Sequence, residues 1–284
     1  MLSSGEKVLK TIQRRGCRLN MISEIKHYLS VYKRYLSTST SEAMSFRTSF
    51  VLLIIMDLLF TSSAYFKISF IYDHVSVISH WDRSELMFFT AFMLCLNALN
   101  NTIISTNFWM FSEDLKTGNL DYILLKPVSS IFIVFFRYLK PSGLPNIILT
   151  HSLLIYFGVQ VGLDIIEWFM LPILLLLSFV LYSLVQFVMS CAMFWLIEGM
   201  GINFLRMQMQ EIARWPNFIF EKYTRVLFMT VIPVLLVGSG PVYFIFDRSY
   251  WFMLPAMIAA CIILYYVLHF LWNRGLVHYD SASS

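Results

Sequence analysis

The chain has 284 residues, 58% of them hydrophobic and only 13% charged, with a formal net charge of +4. A water-soluble domain carries about 25% charged residues, so this chain lacks the polar side chains to cover a water-facing surface. A soluble enzyme and a nucleic-acid-binding module are excluded, and what remains is one membrane domain solvated largely by lipid. Its 26 Phe, 15 Tyr and 7 Trp suit lipid-facing surfaces and interfacial belts.

Residues 1–20 are read as a disordered extension. They show no short apolar core followed by a small-residue cleavage site, so a cleaved leader is not expected. Over 21–44, Met21, Ile22, Ile25, Tyr28, Leu29, Tyr32, Tyr35 and Leu36 recur at helical spacing, with Lys26, Lys33 and Arg34 between them. This predicts a basic amphipathic helix that lies in the inner interface. Packing on the protein's own cytoplasmic side is an alternative compatible with it.

Crossing a bilayer takes about 20 mostly apolar residues in helix. Six stretches qualify within a membrane domain over 45–273: Thr48–Ile71, Leu86–Phe111, Gly143–Val161, Trp168–Leu196, Val226–Phe246 and Trp251–Trp272. Of the 21 Lys and Arg, all but Lys67, Arg83 and Arg248 fall before span one, in loops two-three and four-five, or in the tail 274–284. That bias predicts an all-α, six-span protein with both termini in the cytoplasm.

Several features interrupt the apolar runs. Asp57 sits near the middle of span one and must be paired, hydrated or protonated. It suits either a cationic substrate or a hydrogen bond to span two. Lys67 is expected to snorkel to the outer interface. In span two, Asn97, Asn101 and Ser105 are spaced four apart and share a helix face. That face is read as a substrate path or as interhelical hydrogen bonding. Ser112–Gly118 is a short, charged helical candidate after span two. Gly158 and Gly162 form a lone GxxxG, a weak sign of close helix packing. Gly199–Glu221, broken at Pro216, reads as a second interfacial helix. Pro233, Gly238, Gly240 and Pro241 predict a helix break near Gly238 and a short re-entrant piece on the outer side. Cys95, Cys191 and Cys261 lie in apolar runs and, with Cys17, form no CxxC, so they are read as buried thiols and not as metal ligands. No Walker A, LSGGQ, HExxH or GxSxG pattern occurs and the six His show no metal-ligand spacing, so no metal or cofactor is expected in this chain, nor any ATPase activity of its own.

The stretch Phe111–Val128 reads FSEDLKTGNLDYILLKPV: an acidic residue, a Gly, then Leu-Leu-x-Pro after span two. With FMTVIPVLLVGSGP at Phe228–Pro241, ARWPNFIF at 213–220, WNRGLVHYD at Trp272–Asp280 and YKRYLSTSTSEAMSFRTSF at 32–50, it resembles type-two ABC exporter permeases of a bacterial branch that exports drugs, lipids or polysaccharides. The resemblance runs from Met21 to the end. It implies a multi-pass protein of the bacterial cell membrane that works with two copies of a separate ATPase, which holds ATP and Mg, and with a second permease, identical or homologous. It implies that Glu113, Asp114, Lys116 and Gly118 form a coupling helix docked on that ATPase, and that an amphipathic substrate leaves between the permeases. Two other classes stay open. An ion-driven secondary transporter would lean on Asp57, and a polytopic lipid-modifying enzyme would want a His/Asp/Glu cluster at one membrane face.

Overall fold

The structure, a computed structural model, describes residues 21–74, 81–196 and 199–279. The expectation for residues 1–20 lies outside them. All regular structure among the described residues is helical. In chain order the helices are α1 Met21–Ser45, α2 Arg47–His74, α3 Arg83–Ile103, α4 Ser105–Thr117, α5 Leu120–Leu124, α6 Ser130–Phe136, α7 Leu144–Val161, α8 Ile165–Ser190, α9 Met200–Ala213, α10 Lys222–Thr230, α11 Val234–Phe246 and α12 Met253–His278.

Among the described residues, five helical runs are long and apolar enough to cross a bilayer: Arg47–Phe70, Arg83–Thr117, Pro141–Val161, Ile165–Phe194 and Arg248–His278. They correspond to predicted spans one, two, three, four and six. Helices α3 and α8 start in the same way. Asp82 and Asp164 are N-caps whose backbone N–H groups donate to Glu85 and Glu167 at 2.8 and 3.0 Å, completing a capping box at each start. The predicted GxxxG serves the tight α7–α8 turn. Gly162 takes φ 79° as the C-cap of α7, and Gly158 leaves room for the Trp168 ring.

The α3–α4 run is the axis of the bundle, with α2, α7, α8, α9 and α11 against it. Aromatic clusters close its two ends. At one, buried Trp81 meets Phe89, Phe218, Tyr243 and Phe246 at centroid distances of 4.9–5.5 Å. At the other, Phe111 stacks on Trp272 at 5.7 Å, with Phe194 and Phe135 around them.

The fifth passage differs from its prediction. The segment after α8 starts at the Trp272 end, where Gly199 abuts Ser112. α11 finishes at the Trp81 end with Phe246. The passage between them is made by α9, which spans about 21 Å at 1.5 Å per residue, together with the turn that brings Phe218 to Trp81. α9 is therefore not a second interfacial helix. It is inside out: Asn203 and Arg206 are buried while Phe204, Leu205 and Met207 are exposed. Apolar outside and polar inside is the pattern of a helix solvated by lipid. Of the apolar residues at helical spacing, Ile202, Met209 and Ile212 are half-buried against the core while Leu205 points outward.

α10 and α11 are bent by 92° at a short break, and the pair enters and leaves near the Trp81 end as a re-entrant excursion. The break falls at Pro233 and not near Gly238. Val231 and Ile232 both donate to Leu227 O, and Pro233 has left the helical region with ψ 50°. Gly238, Gly240 and Pro241 lie inside α11. A helical glycine costs only about 1 kcal/mol, which α11, buried along almost its whole length, offsets by close packing. A side chain at Gly238 would strike Met93 and Phe89 of α3, and one at Gly240 would strike Met257 of α12.

Candidate functional site

Polar and charged side chains come together at the Trp272 end of the bundle and at the seam between α3, α8 and α9.

The α3–α4 run has 35 residues, or about 50 Å of helix at 1.5 Å per residue against about 30 Å of hydrocarbon. Its charged end, Glu113 to Lys116, therefore overhangs the apolar slab. The helix stops because Gly118 takes φ 74°, the left-handed C-cap that glycine adopts without strain. Of the four residues predicted for coupling, Glu113 and Lys116 are exposed and Gly118 is the cap. Asp114 instead turns inward, and its carboxylate accepts from Arg137 Nη2 at 2.8 Å. Asn107 accepts from Tyr138 N at 2.7 Å and donates to Tyr138 O at 2.8 Å. Trp272 Nε1 donates to Ser130 Oγ at 3.1 Å. These bonds, with the aromatic cluster, tie α4, α6 and α12 into one unit. Burial, with the nearby Asp121 and Asp114 carboxylates, pushes the Tyr279 phenol above its ordinary range. Beyond Gly118 the short α5 carries Tyr122 and is followed by Leu125, which are 71% and 80% exposed, and Lys126-Pro127 completes the turn.

The seam is a chain of hydrogen bonds. Tyr182 OH donates to Asn97 Oδ1 at 3.2 Å, and Asn97 Nδ2 donates to Met93 O at 2.8 Å. Gln210 Nε2 donates to Gln186 Oε1 at 2.7 Å and to Asn100 Oδ1 at 3.3 Å. Arg206, only 1% exposed, donates to Gln186 Oε1 at 2.9 Å and lies 4.1 Å over the Phe108 ring. Asn203 donates to Phe108 O at 3.4 Å. The seam brackets the break at Ile104 (φ −123°) between α3 and α4: Gln210 grips Asn100 above it and Asn203 grips Phe108 below it.

Span two's predicted polar face divides. Asn97 is buried and held by Tyr182, Ser105 is half-buried just past the break, and Asn101 is exposed. Among the described residues, Asp57 has no hydrogen bond to span two. Both its oxygens accept from Lys140 Nζ, at 2.8 and 2.9 Å. Lys140, next to the Pro141–Gly143 turn, is placed there by its own N–H bond to Thr102 O at 2.8 Å. Arg206, Gln186 and Gln210 escape a sequence reading that puts α9 on the membrane surface. Asn203, Arg206 and Gln210 at i, i+3 and i+7 were the available signal, because three polar residues on one face of a helix with apolar flanks point inward in lipid.

A cavity of about 680 Å³ opens between α2, α3 and the end of α9, lined among others by Ser63, Phe66, Lys67, Met93, Asn97 and Arg214. A smaller recess of about 240 Å³ lies at the Trp272 end, beside Ser112, Lys116 and Tyr279. No group of His, Cys, Asp and Glu among the described residues could hold a metal ion.

A comparison with protein families gives one match, over residues 58–283, to the family described as ABC-2 family transporter protein. No curated protein and no solved structure matches the chain. The matched segment takes in the described parts of the bundle from the middle of α2 to the end of α12, and the helical architecture agrees with it: the chain belongs to the ABC-2 transporter family, as one of its membrane-spanning permeases.

Proposed function

We propose that this chain is the permease subunit of an ATP-driven exporter in the bacterial cell membrane, pairing with a second permease, identical or homologous, and with two copies of a separate ATPase that binds ATP and Mg. The observation that carries this reading is the overhanging end of α4. A rigid helix leaves the apolar slab, is capped at Gly118 and presents Glu113, Lys116, Tyr122 and Leu125 outward, while Asp114 is used internally. Charged residues around an exposed aromatic and a leucine make a good docking knob for a groove on a soluble partner. The α4–α6–α12 unit behind it supplies the rigid body through which ATPase closure moves the bundle. The remaining basic residues of the amino-terminal segment, of the α4–α7 connection and of the tail still bias this end toward the cytoplasm, although Arg206, Arg214, Lys222 and Arg225 no longer count toward it. The substrate is amphipathic and passes by the cavity between α2, α3 and α9. An ion-driven transporter would lean on Asp57, and that carboxylate is paired with Lys140.

The test is co-purification of the tagged chain in mild detergent with ATPase assay. Wild type is expected to bring down an ATPase in roughly equal copy number. Tyr122→Ala with Leu125→Ala should lose that partner while keeping yield and thermal stability, since both side chains are exposed. A chain that purifies alone, or a double variant that keeps its ATPase, would sink the assignment.

A further inference from the structure

Resting on the reading of the cavity as the substrate path, we infer that this cavity receives an anionic amphiphile, its headgroup at Lys67 and Arg214 and its apolar part along Phe66, Phe70 and Met93.

The cavity, about 680 Å³, is of the size that holds a small organic ligand, roughly 300–1,000 Å³. Its wall is mostly apolar, and Phe66 and Phe70 are well exposed, so it opens sideways to the surroundings of the bundle. An apolar wall at that opening suits a molecule arriving from the lipid. The charges decide the sign of its head. Lys67 lines the cavity and has no ion-pair or hydrogen-bond partner among the described residues. An ammonium on a lipid-facing helix is costly unless something compensates it. Arg214 gives Nη1 to Glu211 at 2.7 Å, which leaves its Nε buried without a partner. Glu211 also lines the cavity, but it is committed to Arg214, so one positive charge is left over. A cationic substrate would meet two cations and a carboxylate already in use. A neutral one would leave Lys67 only what it reaches by snorkelling, and an anion pairs it directly. The position also fits a headgroup. Ser69, two residues on from Lys67, accepts from Arg83 at 3.2 Å, so Lys67 lies close to the Trp81 end of the bundle.

The test uses the full chain in phosphatidylcholine nanodiscs, with fluorescent phosphatidylglycerol as the anionic probe, fluorescent phosphatidylcholine as the neutral one, and glycerol phosphate as a headgroup without a tail. The anionic probe is expected to bind at least about tenfold tighter than the neutral one, the scale of one charged hydrogen bond. Lys67→Gln and Arg214→Gln should each remove most of that preference, Lys67→Arg should keep it, and Lys126→Gln, at the other end of the bundle, should not change it. Lys67 is exposed, so its variants test binding without threatening the fold. Ser63→Trp, which fills the opening, should block both probes. Equal binding of the two probes, abolished by Ser63→Trp, overturns the anionic preference and leaves the cavity as a path. Binding that Ser63→Trp does not touch overturns both. Displacement by glycerol phosphate as effective as by unlabelled phosphatidylglycerol overturns the amphiphile and makes this a site for a soluble anion.

Discussion

Spans one and two are both long, apolar helices, yet they occupy opposite places in the molecule. In the most apolar stretch of α2, 6% of the residues are buried; in that of the α3–α4 run, 83% are. Hydropathy ranks them alike because it measures affinity for lipid, which says nothing about whether lipid or another helix supplies the apolar surroundings. The polar residues tell them apart. Span two carries Asn97, Asn100, Thr102 and Asn107, all buried; Thr102 bonds back to its own helix at Ala98 O, while the three asparagines are bonded to other segments, at Tyr182, Gln210 and Tyr138. Span one has one acidic residue in its apolar stretch, Asp57, and an otherwise apolar surface of Val51, Leu52, Ile55, Leu59 and Phe60. Span two is the beam on which the fold is built. Span one is a strut fastened at a few points, with its outer face left for lipid or for a second subunit.

The largest effect is expected where the beam is braced. Gln186 is the only side chain that an ion or hydrogen bond gives Arg206 among the described residues, and the same oxygen takes Gln210. Gln186→Leu strands a buried guanidinium, and losing a buried hydrogen bond to a charged group costs about 1.5–3 kcal/mol. Arg206→Met removes the charge along with its need for a partner and should cost less than about 1.5 kcal/mol. Unfolding in detergent, followed by fluorescence against temperature, checks the order. If Arg206→Met is the more damaging of the two, the brace depends on the arginine itself and not on its compensation.

The second effect separates beam from strut directly. Gly238→Leu drives a side chain of α11 into Met93 and Phe89 of α3, and overpacking of that kind costs about 1–3 kcal/mol. Leu59→Ala, on the exposed face of α2, should change stability by less than about 0.5 kcal/mol in the isolated subunit. A larger loss at Leu59 seen only in the assembled transporter would identify that face as the seat of the second permease.

Much of this was legible in the sequence. Five of the six spans follow from apolar length alone, and the amphipathic α1 follows from periodicity. Its tyrosines do turn inward, with Tyr28 against Phe132 at 5.0 Å, while Ile25, Leu29 and Leu36 stay outside. The fifth passage was illegible because α9 is short and carries Arg206 and Glu211, so it fails a hydropathy criterion that assumes every crossing helix faces lipid. Charge counting misplaced Arg206, Arg214, Lys222 and Arg225 for the same reason. At the Trp272 end the charged stretch was readable, but the inward turn of Asp114 was not, since it depends on Arg137, 23 residues later. Asp57 could be seen to need a partner, and only folding brings up Lys140, 83 residues away.

That ion pair gives the smallest effect, and it bears on how the strut is fastened. The Asp57 and Lys140 side chains are 19% and 26% exposed, so solvent screens them in part and their coupling should be near 1 kcal/mol, the upper end for accessible pairs. Asp57→Asn leaves the Lys140 ammonium without its carboxylate, and Lys140→Met leaves the Asp57 carboxylate without its ammonium. The losses from the two single changes should therefore sum to more than the loss in the double variant. A double-mutant cycle measures the difference. Because Lys140 is fixed to Thr102 O of the beam through its own backbone, coupling near the expected value means that span one is tied to span two's break region by charge. A cycle that closes to zero would leave α2 held by its apolar contacts and the Arg83–Ser69 hydrogen bond, and freer to shift against the beam.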